Sequence, residues 1–145
     1  MWRSVLKYII LIHFFICSIL DIKQRAIPVV FIYVGVIIAE FVYLVDGGKE
    51  SSIQNSIFIP CVIFCIFFIL SKLQLGLGEA DAFFFFMIGL TFGNRIMLES
   101  VVVSFFMCGL LATGMLIFKK ADRKQEIAFV PFIFLACITL FMFRK

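Results

Sequence analysis

Asp21 and Asp81 are the residues whose type and position could carry chemistry. Asp21 closes a long apolar run and opens the segment Asp-Ile-Lys-Gln-Arg-Ala-Ile-Pro (21–28). Asp81 ends Gly-Leu-Gly-Glu-Ala-Asp (76–81) and leads straight into four phenylalanines, Phe83–Phe86, after Ala82. Carboxylates are costly at or near hydrocarbon, so an acidic residue there is a functional candidate. Two carboxyls a few ångströms apart cannot both ionise easily, and they share a proton. One can then act as base on a water while the other, protonated, polarises a carbonyl. That is amide hydrolysis without a metal or a covalent intermediate. Each residue also has a plain structural reading. Asp21, flanked by Lys23 and Arg25, can mark the end of a helix, and Asp81 can be an acidic residue favoured by the macrodipole at the start of the next one.

The elements that must position the pair are membrane spans. The chain has 145 residues, 64% of them hydrophobic, with 21 phenylalanines; a soluble domain is nearer half apolar. A span needs about 20 mostly apolar residues. Six stretches come close, at about 4–20, 27–45, 53–70, 82–98, 100–118 and 127–143. Pro28 falls in the first turn of the second, where a missing N–H costs little, and Pro60 is expected to kink the third. The fourth is the weakest, because Asn94 and Arg95 interrupt it, and it can stop at Gly93. The runs are continuous where barrel strands would alternate. The expected fold is therefore an all-α membrane protein, a polytopic bundle of about six transmembrane helices forming one domain over residues 1–145. The polar turns are short and leave no room for a soluble domain. No small-x-small cleavage site follows the first apolar run, so it reads as a retained span and not a signal peptide.

The formal charge of +4 is spread over the turns and reads as a topology signal, not as a nucleic-acid surface. Lys23, Arg25, Lys72, Lys119, Lys120, Arg123 and Lys124 fall on the first, third and fifth turns; Arg3, Lys7, Lys49, Arg95, Arg144 and Lys145 fall on the other side. The dense cluster at 119–124 favours a cytoplasmic position for the first group. Two spans separate Asp21 from Asp81, which puts both on that same side.

Other polar residues in the runs have weaker claims. Cys17, Cys61, Cys65, Cys108 and Cys137 form no CxxC pair and all lie in apolar runs, where a thiol packs as a small apolar side chain. His13, Cys17 and Asp21 share a helix face, but His13 is about 12 Å up the helix from Asp21, which suits an interhelical hydrogen bond. Glu40 sits inside the second span, paired or snorkelling outward. The Phe83–Phe86 run reads as lipid-facing and packing surface. Neither a cofactor nor a metal ligand set is expected.

Several segments together resemble the prepilin peptidases, membrane aspartic proteases that remove the leader of type IV pilin precursors. Asp21-Ile-Lys-Gln-Arg-Ala-Ile-Pro28 is similar to the segment of the first aspartate, an Asp followed by basic residues and Ile-Pro. Gly78-Glu79-Ala80-Asp81 resembles the Gly-x-Gly-Asp motif, Gly89-Leu90-Thr91-Phe92-Gly93 the glycine pair after it, and Ala128-Phe129-Val130-Pro131-Phe132 the proline segment before the last span. Starting the motif at Gly76-Leu77-Gly78 would put Glu79 in the place of the second carboxylate; the spacing to Gly89 and Gly93 selects Asp81. Ala80 then replaces the second motif glycine, Phe83 a lysine, and Val29 an asparagine. Without a four-cysteine zinc motif or an N-methylating domain, the chain is similar to the short, peptidase-only members. The resemblance implies Asp21 and Asp81 as the catalytic pair, supported by Lys23, Arg25, Pro28, Gly78 and Ala80. It also implies a multi-pass position in the inner (cytoplasmic) membrane and, as partner, a pilin-like precursor with a short basic leader ahead of an apolar helix.

Two other classes fit the same residues. A non-catalytic membrane subunit of a pilus or secretion assembly would keep the scaffold while tolerating Ala80 and Phe83. A small proton-coupled transporter would use the acids as a relay, and it would carry them deep in the spans, where only Glu40 is found.

Overall fold

The computed structural model describes residues 2–24, 26–46, 53–73, 78–117 and 128–143. It is all-helical over these residues: α1 (Trp2–Gln24), α2 (Val29–Asp46), α3 (Ile53–Lys72), α4 (Glu79–Phe92), α5 (Asn94–Ile117) and α6 (Val130–Phe143). Arg25, Gly76, the polar turn at 47–52, the basic cluster at 119–126 and the terminal Arg144-Lys145 lie outside the described residues.

α4 is the centre. It packs against α2, α3, α5 and α6, while α1 packs against α2 and α6, and α5 against α6. A ring contact between Phe14 of α1 and Phe84, with centroids 5.1 Å apart, closes the remaining side. The consecutive residues Met87–Thr91 are all buried; five successive residues point in every direction around a helix, so α4 is enclosed all round, as a helix apolar on every face must be. Of the four phenylalanines, Phe84 and Phe85 are core and not lipid-facing surface, while Phe83 and Phe86 are partly buried and pack against that core. Phe84 and Phe85 are fully buried, Phe85 meets Phe67 at 4.9 Å, and Phe83 meets Phe64 at 4.9 Å. In lipid such contacts act through close packing and not through water exclusion.

Two glycines fix the far end of α4. At Gly89 a Cβ would come within 2.6 Å of the Pro60 ring and 2.8 Å of the Met97 sulfur, so hydrogen is the only side chain that lets α3, α4 and α5 approach this closely. Gly93 has φ 95°, a conformation that side-chain-bearing residues rarely adopt. Its N–H donates to the Gly89 carbonyl at 3.1 Å, and its carbonyl accepts from Met97 at 3.1 Å. The helix therefore breaks at Gly93. The expected fourth span of 82–98 is shorter than its apolar run, and Asn94 and Arg95 begin α5 instead of interrupting α4.

Among the described residues, α1 and α5 are long and apolar enough to cross a membrane; α2, α3 and α6 contain shorter apolar stretches. α4 has 14 residues, about 21 Å at 1.5 Å per residue. Polar side chains inside the helices bond back to the preceding turn, as Ser18 does to the Phe14 carbonyl at 2.8 Å and Ser100 to that of Ile96 at 2.6 Å. No polar group is thereby left unpaired at these positions in an apolar setting.

Candidate active site

Three helix ends meet at one end of the bundle: the C-terminal turn of α1 and the N-terminal turns of α4 and α6. α4 starts where Gly78, in extended conformation (φ −77°, ψ 147°), gives way to Glu79. The Asp81 N–H donates to the Gly78 carbonyl at 3.2 Å, and the Gly78 N–H donates back to Asp81 Oδ2 at 2.9 Å. The second bond is the N3 half of a capping box; glycine has no side chain to supply the other half, and its carbonyl takes the Asp81 N–H instead. The two bonds aim Asp81 inward, where the residue is only 3% exposed. Gly78 itself is exposed and Ala80 half-buried.

Asp21 reaches across the chain. Its Oδ2 accepts the Val130 N–H at 3.1 Å, and the Phe129 N–H is directed at the same carboxyl. Early amides of a helix have no intrahelical partner, and they sit at the positive end of the helix dipole. A carboxylate from α1 is therefore a natural cap for α6. The segment 128–132, noted in the sequence only for its resemblance, thus contributes backbone donors. The readable signal was an apolar helix start with Pro131 in its first turn and no side-chain cap of its own.

Asp21 is close enough for its charge to act on Asp81. Burial is the main influence on Asp81 and pushes its carboxyl up to about 7; the Gly78 amide opposes this, and the Asp21 charge adds to it. A buried carboxyl that holds its proton near neutral pH, beside a second carboxyl, is suited to acid–base chemistry.

The other sequence candidates do not join this pair through any contact among the described residues. Glu79 is exposed and forms an ion pair with Lys72 across the α3–α4 turn, their side chains 56% and 57% exposed. It points to solvent and away from the buried centre. Lys23 is exposed on the last turn of α1. Pro28 stands immediately before α2, not within its first turn, and its carbonyl accepts the Phe31 N–H at 2.9 Å. His13 is buried. Its Nε2 lies 3.5 Å from Cys17 Sγ, and the ring hydrogen-bonds the Phe31 backbone, which ties α1 to α2. Cys108 of α5 lies within electrostatic reach of Asp81.

A cluster of four phenylalanines underlies the site. Phe67 and Phe85 meet with tilted rings at 4.9 Å, Phe105 and Phe129 at 5.0 Å, and the pairs approach through Phe67–Phe105 at 5.9 Å and Phe85–Phe129 at 6.3 Å between centroids. Phe85 is one turn beyond Asp81, and Phe129 is adjacent to Val130. The cluster fixes α4, α5 and the start of α6 with respect to one another. Phenylalanine is so frequent in this chain that composition could not mark these four.

No curated protein and no solved structure gives a significant match. The family model described as the type IV leader peptidase family matches residues 8–113. That is well over half of the chain and includes both aspartates and the Gly89–Gly93 pair, so the chain belongs to the type IV leader peptidase family.

Proposed function

We propose that this chain is a membrane-embedded aspartic endopeptidase that removes the leader from type IV pilin-like precursors at the cytoplasmic face, with Asp21 and Asp81 as its catalytic pair. The observation that carries the reading is the meeting of these two carboxyls at one end of the bundle, each held by backbone amides at a helix start. In the mechanism, one carboxylate takes a proton from water, and the resulting oxygen attacks the scissile carbonyl carbon. The other carboxyl gives its proton to the carbonyl oxygen, forming a gem-diol. The first carboxyl then passes its proton to the leaving nitrogen as the C–N bond breaks. The second recovers a proton as the carbonyl re-forms. No cofactor or nucleic acid takes part.

In this reading the chain is one domain over 1–145, with six spans in the inner membrane. Large apolar side chains exposed along α1, α2, α3 and α5 support contact with lipid, among them Ile12, Val30, Ile37, Leu44, Phe58, Val102 and Phe106. A soluble monomer rarely exposes so much contiguous apolar surface. α4, sheathed by its neighbours, need not match the full hydrocarbon thickness. The apolar surroundings of the pair suit a precursor in which an apolar helix follows the leader.

The test is cleavage of a pilin-like precursor by the purified protein in detergent, read as a leader-sized shift. Loss of that shift in Asp21→Asn and in Asp81→Asn, with both proteins still inserted, is the expected result. Full cleavage by either variant would overturn the reading.

A further inference from the structure

The two carboxyls are not equivalent. Asp21 is partly exposed and faces two backbone amides; Asp81 is 3% exposed and faces one. The Phe129 carbonyl accepts from Phe132 at 3.0 Å and from Ile133 at 3.3 Å, so Phe129 is the cap of α6 and Val130 its first helical residue. Pro131, next, has no N–H to offer. The Val130 side chain is buried and anchors the amide in place. Burial works against charge on both carboxyls, but only Asp21 has both water and a pair of helix-start donors to offset it.

We infer that Val130, a residue beyond the matched region, is a positioning residue: its N–H, with that of Phe129, keeps Asp21 as the ionised partner, which makes Asp21 the base toward water and Asp81 the acid toward the carbonyl oxygen. This rests on the peptidase reading above and assigns the direction in which its protons move. Among the described residues, the other ionisable groups that interact electrostatically with the pair are thiols, Cys17 on α1 and Cys108 on α5. Lys23 is exposed on the last turn of α1. α6 presents only backbone at this point, and its Cys137 is two turns further on. Glu40 of α2 is about 16 Å along the helix axis from Val29.

The test is Val130→Pro. Proline is accepted at the first helical position and removes the N–H with little change in volume. A base that has lost a donor ionises less readily. The acidic limb of the rate profile for precursor cleavage is therefore expected to move up by about one pH unit, with activity recovering at higher pH. Val130→Ala keeps the N–H and is expected to keep the wild-type limb, whatever its yield. An unmoved limb in Val130→Pro, or the same displacement in Val130→Ala, overturns the inference. If Val130→Pro does not insert, the unmodified protein labelled with ¹⁵N-valine answers the same question. The Val130 amide is expected to titrate with the lower of the two midpoints, and titration with the upper one reverses the roles. Failure of the peptidase reading is separate, since it appears as full cleavage by Asp21→Asn or Asp81→Asn.

Discussion

Asp81 and Gly78 hold each other through two backbone-anchored hydrogen bonds, Gly78 N–H to Asp81 Oδ2 at 2.9 Å and Asp81 N–H to the Gly78 carbonyl at 3.2 Å. The same side chain therefore starts α4 and occupies the candidate centre, and substitutions can separate the two roles. Asparagine keeps an oxygen for the Gly78 amide and is a good residue at helix starts. Asp81→Asn is expected to insert normally while cleavage falls by about 10²–10⁴-fold or more. Glu79→Gln removes only an exposed ion pair, worth roughly 0–1 kcal/mol, and should leave most activity. A dead Glu79→Gln beside an active Asp81→Asn would exchange their roles.

A pair that acts as a unit does not lose activity additively. Asp21→Asn/Asp81→Asn is expected to be no slower than either single variant, measured as initial cleavage rates. Cleavage should also survive EDTA, because the reaction is assigned to carboxyls alone and the single histidine, His13, is committed to Cys17 and to the Phe31 backbone. Activity abolished by EDTA and restored by zinc would count against the dyad.

Much of the fold was legible in the sequence alone. The six helices follow from continuous apolar runs punctuated by polar turns, and the two aspartates from carboxyls at the edges of such runs. The break at Gly93 was only half legible: Asn94 and Arg95 signalled trouble in the fourth run, but a positive φ is a backbone property that glycine permits and does not announce. The full burial of Phe84 and Phe85 was hidden because an apolar residue reads the same against lipid as against protein. The partner of Asp21 was also hidden, since the donor is a main-chain N–H 109 residues away, and main-chain groups leave no mark in the choice of residue.

The Gly89–Pro60 approach makes a stability prediction. A Cβ at position 89 would sit 2.6 Å from a proline ring that cannot rotate away. Gly89→Ala is expected to lower stability by about 1–3 kcal/mol, read as a lower midpoint of thermal unfolding in detergent. Gly93→Ala forces a side-chain-bearing residue to φ 95° and should cost about as much. Gly114, where a Cβ would meet nothing within 4 Å, is the control: Gly114→Ala should be neutral or slightly stabilising. Equal midpoints for all three would remove the packing argument.

The contact between α1 and the start of α6 also constrains topology. If six spans cross the bilayer, labels at residues 23, 79 and 122 must report one compartment. Single cysteines at these positions, in a chain otherwise free of cysteine, are expected to react together with an impermeant maleimide in inverted vesicles and not in intact cells. Residues 23 and 79 on opposite faces would dissolve the shared site.

The carboxyl of Asp81, pushed up from 3.8 to about 7 chiefly by burial, makes a signed pH prediction. As the acid of the pair it must be protonated to work, so cleavage should decline as pH rises through about 7, and a second, lower midpoint should mark ionisation of the base. Both midpoints belong to the pair. Stability follows the same sign. A carboxyl with a raised pKa binds its proton more tightly in the folded state, so its contribution is complete below about pH 4 and is lost as pH rises toward 7. The change is on the order of a few kcal/mol. Thermal midpoints in detergent should therefore fall between pH 4 and 7 and level off above. Asp81→Asn, which cannot ionise, should flatten that slope, whereas Glu79→Gln should retain it. A slope unchanged in Asp81→Asn would mean that the buried carboxyl is not the group being titrated, and the acid role would pass elsewhere.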